Sequence, residues 1–271
     1  GMIPKKLEKE KLPAWTLNGI LEGYRGSHGH GTYIPSFEPS SVDDIDIFRV
    51  VVQPEEYYLG LNSYLKTQEH YEAFVGEYDI LVYDIRKFIY LLSKGNPNVH
   101  IFLWLRHEDY FKITEAGKYL LSKRAEFLSQ KVIHAFGGYA ISQLKRMTHF
   151  EYKGYMGEKR KSLVQKFGYD CKNAAHCVRL LATAIDSLKT GELIVYREKD
   201  RGTLIEIKSG KWKLERVKEY ADKLMAEFEK LAPASKLPPE VDSNKLDTIL
   251  LNTMNLAWEE LDLKYKREML K

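Results

Sequence analysis

The spacing of apolar side chains changes period near residue 114. Before that point the runs are short and strand-like. Ile20 to Arg25 predicts a strand that ends in a Gly26-Ser27 turn, and Ile45 to Val52, IDIFRVVV, predicts a second. Asp79 to Tyr83, DILVY, predicts a third, followed directly by a helix over IRKFIYLLSKG that stops at Gly95-Asn96-Pro97. Pro35, Pro39 and neighbouring serines mark a loop between the first two strands. After residue 114, apolar residues recur at three and four in ITEAGKYLLSKRAEFLSQ, VIHAFGGYAISQLKRM, KNAAHCVRLLATAIDSLKTG and KLERVKEYADKLMAEFEKLA, which predicts amphipathic helices. One more follows Pro233 and Pro238-Pro239, over KLDTILLNTMNLAWEEL. The expected class is α+β, with a mixed-sheet domain over residues 1–108 and a mostly helical domain over residues 109–271 closing a cleft.

Composition narrows the picture. With 271 residues and 44% hydrophobic content the chain can fill a substantial core, so disorder throughout is excluded. No apolar run reaches membrane-spanning length, and the charged segment GMIPKKLEKEKLPAW does not read as a secretory signal, so the expectation is a soluble cytoplasmic protein. The two cysteines, Cys171 and Cys177, fall on different faces of a predicted helix, which argues for buried thiols over a disulfide or a zinc site. A formal charge of +4 permits a phosphate-rich partner without demanding one.

The chemistry concentrates around the first strands. The segment GSHGHGT, residues 26–32, leads twelve residues later to Asp44-Ile45-Asp46. Strand alternation puts Asp44 and Asp46 on one face and turns Ile45 and Ile47 into the core. Two carboxylates aimed at one point are costly unless cations neutralise them, and Mg²⁺ favours carboxylate oxygens together with substrate phosphates. A third carboxylate on a neighbouring strand, for which Asp79 is the candidate, would complete a site for two Mg²⁺ or Mn²⁺ ions. Gly26 lets a backbone approach a phosphate, and Ser27 adds an N–H and a hydroxyl to hold a triphosphate.

These features resemble the DNA polymerase beta superfamily of nucleotidyltransferases, with its Gly-Ser turn, Asp-x-Asp pair and later strand aspartate. More narrowly the chain resembles the RNA-repair-pathway polymerase-beta-like family. The pieces that carry the resemblance are RGSHGHGT, DDIDIFRVVV, YDILVYDIRKFIYLLSKGNPN, FGGYAISQLKR and FGYDCKNAAHCVRLL followed by KTGEL, from about residue 20 to 195. The resemblance implies a polymerase-beta-like nucleotidyltransferase domain followed by a helical domain. It also implies metal-dependent transfer of a nucleoside monophosphate from a nucleoside triphosphate, with release of pyrophosphate, to an acceptor hydroxyl for which RNA is one candidate. By position, Gly26 and Ser27 fall on the phosphate turn, Asp44 and Asp46 on the metal pair, Asp79 on the third carboxylate, and Lys87 on a phosphate contact. A nucleotide- or RNA-binding regulatory protein on the same fold is the competing expectation.

Several residues carry two readings. Asp84 lies five residues beyond Asp79, on the opposite strand face, and suits the N-cap of the following helix. Arg25 fits a triphosphate clamp or a salt bridge, Lys87 a phosphate contact or a snorkelling helix lysine, and His28 and His30 a ligand contact or an exposed loop. Lys172, His176 and Arg179 recur at four and three and share a polar helix face suited to a nucleotide. Between Lys145 and Lys166 seven basic residues, with Tyr152, Tyr155 and Phe167 interleaved, fit either a solvated face or single-stranded RNA.

Overall fold

A computed structural model describes residues 12–34, 45–148, 158–261 and 263–270. The chain is α+β. Its described strands are β1 (Gly19–Tyr24), β2 (Ile45–Val51), β3 (His70–Val75), β4 (Tyr78–Asp84) and β5 (Tyr110–Ile113). They form one mixed sheet in the order β3-β4-β2-β1-β5. Among the described residues the one parallel pair is β2 with β4.

Period-two alternation decides what each face of the sheet carries. On one face Ile47, Val51, Ile80 and Val82 pack with Trp15, joined at the margin by Tyr71, Val75 and Tyr78. On the other, Phe48 meets Phe102, Phe88 and Tyr83 at centroid distances of 4.4, 5.8 and 5.4 Å. Phe88 belongs to the helix Ile85–Ser93 and Phe102 to the helix Pro97–Phe102. These two helices therefore cover the second face toward the C-terminal end of β4, and its N-terminal end holds Asp79.

The chain groups into two compact units. The sheet-bearing unit contains the described residues up to Gly29, those from 45 to Phe127 and those from Val241 onward. Its last piece is the helix Ser243–Glu260, where the Trp258 indole N–H donates to Gln53 O at 2.8 Å and Asn252 Nδ2 donates to the Tyr119 hydroxyl at 2.9 Å. The other unit contains the described residues 30–34 and Leu128–Glu240. It is built from the helices Gln130–Thr148, Glu158–Phe167, Cys171–Thr190, Arg201–Lys208 and Leu214–Leu231. The longest, Cys171–Thr190, is capped by the Asp170 side chain accepting from Asn173 N and ends at Gly191, whose φ of 76° suits the left-handed cap. Both cysteines are buried free thiols.

The structure adds elements that periodicity did not predict. β3 and β5 are edge strands, and Gly95-Asn96-Pro97 is a start as well as a stop: Asn96 Oδ1 accepts from Asn98 N and Val99 N, with Pro97 in the first helical turn. The stretch expected as one helix over ITEAGKYLLSKRAEFLSQ is divided into a helix over Glu115–Ser122 and a 3-10 turn over Arg124–Phe127.

Candidate functional site

β2 and β4 run side by side in register, so Asp46 lies directly opposite Asp79 and both carboxylates leave the same face. Asp44 lies outside the described residues. The β1 strand ends beside the pair: Arg25 N donates to Asp46 O at 3.0 Å, and the chain then turns at Gly26 with φ +70°. A Cβ placed on Gly26 would sit 2.5 Å from Asp46 Oδ2. Glycine is favoured there, because the left-handed φ strains other residues and a Cβ would force the Asp46 carboxylate to shift. Ser27 opens the short helical turn Ser27–His30.

Arg25 Nη2 lies 2.9 Å from Asp79 Oδ2. The contact is an ion pair, and among the described residues Arg25 Nε is a buried donor with no hydrogen-bond partner. Among the described residues Asp79 Oδ1 is likewise buried without one. Burial pushes the Asp79 carboxyl above its ordinary range; the Arg25 guanidinium opposes the shift, and the Glu72 carboxylate on β3 reinforces it. A buried carboxylate oxygen without a donor is expensive, and a divalent cation or a proton removes the cost. Asp46 and Asp79 are hard oxygen donors suited to Mg²⁺ or Mn²⁺, and the orphaned Oδ1 fits that role. Among the described residues no group of three or more potential metal ligands is assembled, and Asp44, the other member of the expected Asp44–Asp46 pair, is outside them.

Asp84, at the other end of β4, is a cap. Its carboxylate accepts from Arg86 N and Gln53 Nε2, each at 2.9 Å, and from the Tyr58 hydroxyl at 2.5 Å. Lys87 follows it in the first turn of the helix Ile85–Ser93 and lies 5.7 Å from the Tyr90 ring centroid. At about 3.3 Å per residue, the five steps along β4 separate this end from Asp79 by roughly 16 Å. The structure therefore does not bring Lys87 to the carboxylate pair.

His28 stacks on Tyr24 at 4.4 Å, and Tyr24 meets Phe111 edge-on at 4.6 Å. His30 is buried, not exposed as a loop histidine would be. Its Nδ1 is 3.2 Å from both Val195 O and Arg179 Nη1. Arg179 also donates through Nη2 to His176 Nδ1 at 2.6 Å. Burial first, and the Arg179 charge second, push the His30 imidazole well below its usual range, so the ring is neutral. Burial is also the main reason that the Arg179 guanidinium is pulled down to about 9. Lys172, His176 and Arg179 thus sit on one helix of the helical unit, with Lys172 and His176 half-buried and Arg179 buried. The middle of the basic stretch, including Tyr152, Lys153 and Tyr155, lies outside the described residues.

Two site residues had no sequence signal pointing to them. Phe74 lies opposite Asp79 on β3, and Glu72 is its neighbour on the same face. Both belong to an edge strand that the apolar pattern did not announce, and only strand register brings them to the pair.

No helix among the described residues is long and apolar enough to cross a membrane. The family model described as RNA repair pathway DNA polymerase beta family, RlaP, matches residues 16–252. No curated protein and no solved structure matches the chain.

Proposed function

The chain belongs to the RNA repair pathway DNA polymerase beta family, and from that premise we propose that it transfers a nucleoside monophosphate from a nucleoside triphosphate to a hydroxyl on RNA, releasing pyrophosphate. One observation carries the reading: two carboxylates in register on adjacent parallel strands, one with a buried oxygen lacking a donor among the described residues, beside a left-handed glycine turn.

Asp46 and Asp79, with Asp44, are the proposed holders of two Mg²⁺ or Mn²⁺ ions. When bound, those ions supply charge neutralisation and Lewis acidity for phosphoryl chemistry. The chain's own part is positioning. Gly26 admits phosphate oxygens to the backbone, Ser27 offers its N–H and hydroxyl, and Arg25 Nε, a donor with no partner among the described residues, faces the same charge. The acceptor oxygen bonds to the α-phosphorus as the bond from that phosphorus to the α,β-bridging oxygen breaks. The hydroxyl proton passes to water, and pyrophosphate departs on the side of the turn. Lys172 and His176 are proposed contacts to nucleotide phosphates. Arg179 supports that role for His176, because donation to Nδ1 leaves Nε2 as the ring's donor.

The test is incubation of the full chain with each labelled nucleoside triphosphate, Mg²⁺ or Mn²⁺, and RNA ends. Label should enter RNA, pyrophosphate should be released, and both should vanish in Asp46→Ala. Nucleotide binding by calorimetry with no pyrophosphate release from any combination would replace transfer with a regulatory binding role.

A further inference from the structure

We infer that Phe74 is the stacking surface for the terminal base of a single-stranded RNA 3′ end and so positions the 3′ hydroxyl beside Asp79. This rests on the transfer reading above and names the side from which the acceptor enters.

The inference comes from a row of residues running across the sheet. Phe74 on β3 is opposite Asp79 on β4, and Asp79 is opposite Asp46 on β2. Arg25 N then bonds to Asp46 O, with Gly26 next in the chain. Side chains directly opposite one another share a face, so a ring, two carboxylates and a phosphate-type turn stand in line. Neighbouring strands are about 4.8 Å apart, so the row from Phe74 to Asp46 covers roughly 10 Å. In-line displacement needs the attacking oxygen and the leaving pyrophosphate on opposite sides of the phosphorus. With phosphates at Gly26, the attacking hydroxyl comes from the β3 end, where Phe74 stands.

Phe74 is 69% exposed, although Tyr71 and Val75 on the opposite face of the same strand pack against the core. An aromatic ring left in water forgoes the benefit of burial. A nucleobase restores that benefit whatever its identity, because every base has a π-face. The Glu72 carboxylate, 40% exposed on the same face, limits the contact to one base. A phosphodiester chain running along β3 would meet a like charge, so only the terminal base is placed there.

The test uses the full chain and an RNA oligonucleotide ending in 2-aminopurine, whose fluorescence falls on stacking. Wild type and Phe74→Trp should quench the probe; Phe74→Ala, with unchanged thermal stability, should not, and its RNA affinity should drop roughly 10- to 100-fold. With nucleoside triphosphate and Mg²⁺ present, the KM for RNA should rise by the same factor in Phe74→Ala while the KM for nucleotide holds, and Phe74→Trp should restore it. Equal quenching by wild type and Phe74→Ala would overturn the inference. So would a loss confined to the nucleotide KM, or sedimentation in which Phe74→Ala separates a dimer without altering RNA binding. Label appearing on protein in place of RNA, with Phe74→Ala unaffected, would overturn it too. A wild type that transfers no nucleotide but still quenches through Phe74 would sink the transfer reading and uphold the base contact.

Discussion

The two ends of β4 each carry an aspartate, Asp84 buried and Asp79 half-buried, and the two are built to different ends. Asp84 has a full set of donors from Arg86 N, Gln53 Nε2 and the Tyr58 hydroxyl. Asp79 has an ion pair to Arg25 and, among the described residues, one oxygen with no donor. Fold-supporting carboxylates are satisfied by the chain itself, because an unmet buried acceptor costs about 1–3 kcal/mol. A carboxylate left without a donor beside a second one is the pattern expected of a ligand site. Residue type alone would not separate the two aspartates; burial and donors do.

The comparison breaks most directly through activity. Asp46→Ala and Asp79→Asn should each lower nucleotide incorporation by about 10³-fold or more while the melting temperature holds or rises. Incorporation within tenfold of wild type in both variants would show that the open end does no chemistry. Asp84→Ala should do the reverse, costing about 3 kcal/mol in denaturant unfolding by stranding three donors, with activity per folded molecule retained. A stability change below about 1 kcal/mol would remove the contrast.

The same aspartate gives a pH signature. Burial raises the Asp84 carboxyl from 3.8 to about 6, against the pull of its hydrogen-bond donors. The folded state then binds more protons than the unfolded state between those values. The stability from this group is complete below about 4 and is lost as pH rises to about 6. A rise of that size corresponds to about 3 kcal/mol. Wild type should lose about that much relative to Asp84→Asn across this window, with a flat difference above it; parallel curves from pH 4 to 7 would contradict the burial argument. The smallest effect is expected at Gly26. Gly26→Ala should cost about 1–2 kcal/mol, since its φ of +70° is left-handed and the new Cβ would crowd Asp46 Oδ2. Unchanged stability with full activity would mean that the turn can rearrange.

Local pattern made much of this legible. β1, β2 and β4 and the long helices are where apolar spacing predicts them, because each has a buried side that alternates or recurs at helical spacing. The capping role open to Asp84 was readable for the same reason. β3 was not: an edge strand with Glu72 and Phe74 facing water presents no clean alternation of apolar and polar residues. Nor were the Asp46 to Asp79 pairing, the Arg25 ion pair or the place of Phe74, since all three depend on which residues of distant strands lie opposite one another. His30 misled for a related reason: a polar loop sequence gave no hint of Arg179, far along the chain, against which it is buried.

The bond from the Trp258 indole to Gln53 has a consequence in time. The sheet-bearing unit is interrupted, with its final piece beginning at Val241 after the whole span Leu128–Glu240. On a ribosome adding ~5–20 residues per second, that intervening span takes roughly ten seconds to emerge. Throughout that interval the nascent sheet waits for the tryptophan that fastens it, while the helices of the insert can already be folding.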